Sequence, residues 1–120
     1  SILYAASLFK VSFILFKMKI TKLTDKYTFY QDGNDYILTL GEIKKGDDTT
    51  TELLFEEVED VTKLMVKKTC GCTTLGREEI NKNTLKVSIK YTNCDYPISK
   101  TAICQNNKET FKILIKGTCR

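Results

Sequence analysis

The sequence predicts an all-β domain, an antiparallel sandwich of about seven short strands. Three observations carry this. From Tyr27 onward, apolar and polar residues alternate with a period of two. Turn-forming residues recur roughly every ten positions. No stretch repeats its apolar side chains at the 3.6-residue spacing of an amphipathic helix. Short alternating strands with regular turns are the pattern of immunoglobulin-like sandwiches.

The elements follow in chain order. Residues 27–30 and 36–40 are two β-favouring runs joined by Gln31-Asp32-Gly33-Asn34-Asp35. The Asp-Gly pair marks a hairpin, because glycine takes positive φ at little cost. Residues 41–48, GEIKKGDD, read as a second turn with Gly46 and Asp47 at its tip. Residues 49–58 form a strand with Leu53 and Phe55 on one face, and residues 63–69 form another with Leu64 and Val66 inward. The clearest strand is residues 84–91, where Leu85, Val87, Ile89 and Tyr91 alternate with Lys86, Ser88 and Lys90. A slip of one residue there would send the lysines into the core, so the register is fixed. Residues 99–104 form a shorter strand and Gln105-Asn106-Asn107-Lys108-Glu109 a polar turn. Residues 110–116 close the domain, with Phe111, Ile113 and Ile115 inward.

A chain of 120 residues fits one domain. Residues 1–17 differ from the rest, being apolar except for Ser1, Ser7, Lys10, Ser12 and Lys17. A helix of that length falls just short of a bilayer core and would carry Lys10 at its middle, which argues against stable membrane insertion. Three readings stand: upstream sequence with the true start at Met18, the remnant of a leader or anchor, or an apolar docking arm. The immunoglobulin-like domain then occupies residues 18–120. With a start at Met18, the net charge drops from +4 to +2 and no targeting segment follows.

Composition removes several function classes. The chain has no histidine. Ser–His and Cys–His nucleophilic pairs, His-containing zinc sites and imidazole acid–base steps are thereby excluded. Of the 19 basic residues, only Arg77 and Arg120 are arginine. Specific nucleic-acid readers lean on the bidentate arginine fork. The lysines are also spread among acids, as on a solvated face. No specific nucleic-acid partner is expected. The acidic residues Glu56, Glu57, Glu59 and Asp60 read as a solvated strand end, without EF-hand spacing. Glu78 and Glu79 read as loop residues. Tyr91 and Phe111 fall on core positions of their strands, whereas Tyr96 is a candidate surface aromatic.

The five cysteines are Cys70, Cys72, Cys94, Cys104 and Cys119. Cys70-Gly71-Cys72 admits three readings. It could exchange disulfides, although redox pairs are ordinarily C-x-x-C at a helix N-terminus and this one follows a strand. Four thiolates would suffice for zinc, but paired C-x-x-C knuckles are absent. The reading carried forward is structural: small buried side chains, or disulfide partners if the protein is exported. No catalytic, cofactor or metal residue is assigned.

Several segments together resemble a known family. They are Leu40-Gly41-Glu42-Ile43-Lys44-Lys45-Gly46-Asp47, Ser99-Lys100-Thr101-Ala102-Ile103, Gln105-Asn106-Asn107 and Lys112-Ile113-Leu114-Ile115-Lys116-Gly117. With Cys70-Gly71-Cys72-Thr73, they resemble a bacterial and phage domain of unknown function marked by a CGCT signature. That family is similar to Hydin-type immunoglobulin-like domains. The Pro-Gly turn usual after the signature is replaced here by Asn81-Lys82-Asn83. The resemblance implies a seven-stranded sandwich, a non-enzymatic interaction role with protein partners, and no cofactor. The first functional expectation is a phage structural or capsid-decoration protein, made in the host cytoplasm and located in the virion. The alternative is an exported bacterial adhesion or scaffold module of the periplasm or cell surface. A thiol-redox or zinc protein built on the CGC turn ranks third.

Overall fold

The computed structural model describes residues 18–120. The expectations placed on residues 1–17 lie outside that range. Among the described residues there are nine strands: β1 (Lys19–Lys22), β2 (Thr28–Asp32), β3 (Asp35–Ile43), β4 (Thr51–Glu56), β5 (Met65–Lys68), β6 (Thr73–Asn81), β7 (Thr84–Tyr91), β8 (Ile98–Gln105) and β9 (Thr110–Cys119). A 3-10 turn, Val61–Lys63, lies between β4 and β5. No helix among the described residues is long and apolar enough to cross a membrane.

The strands form two sheets, in the orders β1-β4-β7-β6 and β2-β3-β9-β8-β5. Their inner faces share one core. Leu53, Phe55, Leu85, Val87 and Ile89 come from the first sheet, and Leu38, Ala102, Cys104, Ile113 and Ile115 from the second. This is the immunoglobulin-like sandwich that the alternation predicts. The β4–β7 register sets Leu53 opposite Val87 and Phe55 opposite Leu85, and all four are 0% exposed. Each such side chain contributes about 1.5–3 kcal/mol by leaving water. Lys90 on β7 stays exposed, as its place in the alternation requires.

The β2–β3 hairpin turns through Gly33-Asn34, with Gly33 at φ +63°. A two-residue turn of this kind needs positive φ at its first central position, and glycine supplies it.

Three features differ from the sequence reading. The expected turn at residues 41–48 begins later, because β3 continues through Gly41, Glu42 and Ile43 before turning at residues 44–47. Gly41 sits at a shift of register between Thr39 and Gly41, at φ +66°, and such an irregularity looks like a turn in sequence. It lies opposite Gly117, where a Cβ would come 2.7 Å from the Gly41 carbonyl oxygen. Second, Glu78 and Glu79 are not in a loop but in β6, a nine-residue edge strand. Most β6 side chains are exposed, so the strand lacks the alternation that marks a half-buried one. Third, all strand pairs are antiparallel except β3–β9, which is parallel. With β1 and β6 added, the strands number nine rather than about seven.

Candidate functional site

The cysteine-rich end of the sandwich is the chemically distinctive region. Cys70, Gly71 and Cys72 form the turn between β5 and β6, and Thr73 opens β6. Cys70 is half-buried, Gly71 exposed, and Cys72 and Thr73 buried. Cys70 and Cys72 are joined by a disulfide, with their Cα atoms 5.2 Å apart. Within this small ring the Cys72 amide donates to Cys70 Sγ at 3.1 Å. The Thr73 amide donates to the Cys70 carbonyl at 3.3 Å.

The turn is anchored to the end of β7. Thr92 donates to the Cys72 carbonyl twice, from its amide at 2.7 Å and its Oγ1 at 2.9 Å. Thr73 pairs with Tyr91. The Tyr91 backbone is in turn clasped by Thr49, whose Oγ1 donates to its carbonyl at 2.7 Å and accepts from its amide at 2.8 Å. The Tyr91 hydroxyl donates to the Asp95 carboxylate. Burial and that neighbouring carboxylate push the Tyr91 phenol up to about 12.

A second disulfide closes the same end. Cys94 lies two residues past Thr92 and is bonded to Cys119 at the end of β9, their Cα atoms 5.0 Å apart. The Cys119 amide donates to the Asp95 carbonyl at 2.8 Å. The disulfide therefore staples the β7–β8 connection to the last strand. Arg120 extends the staple outward: its Nη2 donates to the Tyr96 hydroxyl at 3.1 Å, and its Nε lies 3.3 Å from the Glu42 carboxylate. Tyr96 is 64% exposed, whereas Tyr91 and Phe111 are core residues, as their places in the alternation predict. An open groove of about 930 Å³ runs beside this end, past Thr49, Lys90, Thr92 and Cys94.

Cys104 carries the remaining free thiol. It is fully buried in β8, and desolvation pushes its thiol up to about 12. A protonated, buried thiol is a weak nucleophile.

The other sequence candidates do not converge. Asp60 caps the 3-10 turn, its Oδ1 accepting from the Thr62 amide at 3.0 Å and the Thr62 hydroxyl at 2.7 Å. Those hydrogen bonds hold its carboxyl below the usual range. Glu59 pairs with Lys108 at 2.9 Å, Glu79 with Arg77 at 3.6 Å, and Glu78 lies 4.0 Å from Lys86. All of these are surface pairs of small energetic weight. Among the described residues, no three of His, Cys, Asp and Glu gather as metal ligands would.

Sequence reasoning missed Arg77. From β6 it donates to the Leu64 carbonyl at 2.7 Å and the Val61 carbonyl at 2.8 Å, tying the edge strand to the 3-10 turn. Its signal was compositional: one of only two arginines in a lysine-dominated chain, at a place where a planar fork can serve two carbonyls.

No family model matches this chain, and no curated protein matches it. Among solved structures, it is similar to a crystal structure of domains 4 and 5 of the S-layer protein SbsC. The identity is 12% and the TM-score 0.45, over 85% of this chain and 54% of that one. This chain thus spans about half of the matched structure, and the superposition is too loose to carry functional meaning.

Proposed function

We propose that this domain is a structural and interaction module of the exported, immunoglobulin-like kind, working outside the reducing cytoplasm. One observation carries the reading: two disulfides, Cys70–Cys72 and Cys94–Cys119, close on the same end of the sandwich. Disulfides form and persist in oxidising compartments and are rare where glutathione keeps thiols reduced. The CGCT resemblance supports the same interaction role.

The module works through its faces and edges. The strand at each sheet edge offers unpaired backbone groups to a partner strand. The nine-residue β6 is the longest of the four, and it exposes Ile80 at 51%. Protein partners fit such a surface. The reading requires no cofactor.

Fractionation of the native source, with thiols blocked at lysis, tests this. The expected result is recovery outside the cytoplasm with Cys94–Cys119 closed. Recovery from the cytoplasm with both cysteines free overturns it. Recovery in purified phage particles would favour the capsid-decoration expectation over the cell-envelope one.

A further inference from the structure

The two disulfides are built differently. Cys94–Cys119 joins segments 25 residues apart, with Cys94 exposed and Cys119 4% exposed. Cys70–Cys72 spans a separation of two, entirely within one turn. Its two cysteines are unequally buried, as those of Cys94–Cys119 are. Cys70 is half-buried at the surface while Cys72 is 3% exposed. The Cys72 amide points at Cys70 Sγ, 3.1 Å away. An N–H aimed at a sulfur favours negative charge on that sulfur.

An accessible first sulfur, a sheltered second one, and an amide of the second donating to the first form the working arrangement of a reversible dithiol. The contacts that anchor the turn use no sulfur: the Cys72 carbonyl accepts from Thr92, and Thr73 pairs with Tyr91.

We propose that Cys70-Gly71-Cys72 is a thiol–disulfide exchange site, with Cys70 as the sulfur that bonds an incoming thiol and Cys72 as the resolving sulfur. The co-reactant is an accessible thiol, on a small molecule or on a partner's cysteine. Its thiolate attacks Cys70 Sγ, and the Cys70–Cys72 bond breaks. Cys72 leaves as a thiolate and takes a proton from water. The product is a mixed disulfide on Cys70. Two exits follow. Cys72 can attack Cys70 Sγ, expel the incoming thiolate and re-close the ring. Alternatively, a second thiolate attacks the outer sulfur, releasing a disulfide and leaving Cys70 and Cys72 reduced. The second route moves two electrons from two thiols to the ring. Run in reverse, Cys70 attacks an external disulfide and Cys72 completes its reduction. The module thereby gains a covalent, reversible attachment point beyond its noncovalent surfaces.

The test exposes the full-length oxidised protein to reduced glutathione, quenches with acid at timed intervals, alkylates and maps peptides by mass spectrometry. Cys70–Cys72 is expected to open about tenfold or more faster than Cys94–Cys119. In parallel, Cys72→Ser and Cys70→Ser variants are mixed with glutathione disulfide. The first is expected to accumulate glutathione on Cys70, and the second to form about tenfold less adduct on the sheltered Cys72. Retention of the Cys94–Cys119 bond and an unlabelled Cys104 shows in each sample that the fold is intact. Equal opening rates for the two disulfides overturn the proposal, as does a Cys72→Ser variant that forms no adduct on Cys70. These readouts do not depend on where the protein resides, so they can fail while the export reading stands.

Discussion

Removing the Cys94–Cys119 bond probes how the fold is held at its cysteine-rich end. The perturbation is the double substitution Cys94→Ala/Cys119→Ala, which leaves no orphan thiol behind. The bond closes a loop with a sequence separation of 25. Loop-closure entropy for that length corresponds to about 3.5 kcal/mol at 25 °C. For a domain of this size each kcal/mol displaces the midpoint by about 4 °C, so Tm should fall by about 14 °C. Urea titration and calorimetry of both forms measure the two quantities independently. The Cys70→Ala/Cys72→Ala pair serves as the internal comparison. Its separation is two, and the same relation gives only about 1.2 kcal/mol. A loss below about 1 kcal/mol for the Cys94/Cys119 pair would refute the reasoning, since the long loop would then add nothing that the turn does not.

Four further outcomes are expected. Phe55→Ala removes a side chain that is 0% exposed, and chemical denaturation should show a loss of about 3–5 kcal/mol. Arg77→Ala removes the Arg77 donor from the Leu64 carbonyl and leaves the Val61 carbonyl only the Leu64 amide; it should cost about 1–3 kcal/mol, with Arg77→Lys restoring little because an ammonium lacks the fork. Gly117→Ala combines φ +157° with a Cβ 2.7 Å from the Gly41 carbonyl oxygen; a loss of about 1–3 kcal/mol is expected, and an unchanged midpoint would argue against the β3–β9 approach. Alkali should destabilise the fold, because the Cys104 thiol and Tyr91 phenol are both raised to about 12, from ordinary values of 9.0 and 10.0. The unfolded chain then loses these protons first as pH rises, so stability is full below pH 9.0 and declines toward about pH 12. Urea midpoints across that window, for the parent and for Tyr91→Phe, should diverge above pH 10.0.

What could be read in the sequence was whatever burial on one face had written there. β7 and β9 have cores that alternate with lysines, and both stand where the period of two puts them. The β2–β3 hairpin is legible because Gly33 satisfies a local backbone demand. β6 was not legible, because an edge strand with most side chains in water has no inner face to leave a pattern. The run through Gly41 was misread because a shift in pairing uses the same residue as a turn. The parallel β3–β9 pairing joins the start of the domain to its end, and nothing local encodes it. Cysteine connectivity is of the same kind: five cysteines do not state their partners, and only the fold brings Cys94 to Cys119. The CGCT turn was visible as a motif, yet the inequivalence of its two sulfurs arises from burial against the end of β7.

Both the placement of this module and its chemistry rest on how many sulfurs are paired. The direct measurement is a thiol titration of natively purified protein, denatured without reductant after rapid blocking at lysis. One reactive thiol per chain, mapped to Cys104, is expected. Five reactive thiols would contradict it, leaving a sandwich without the Cys94–Cys119 staple on which the export reading rests.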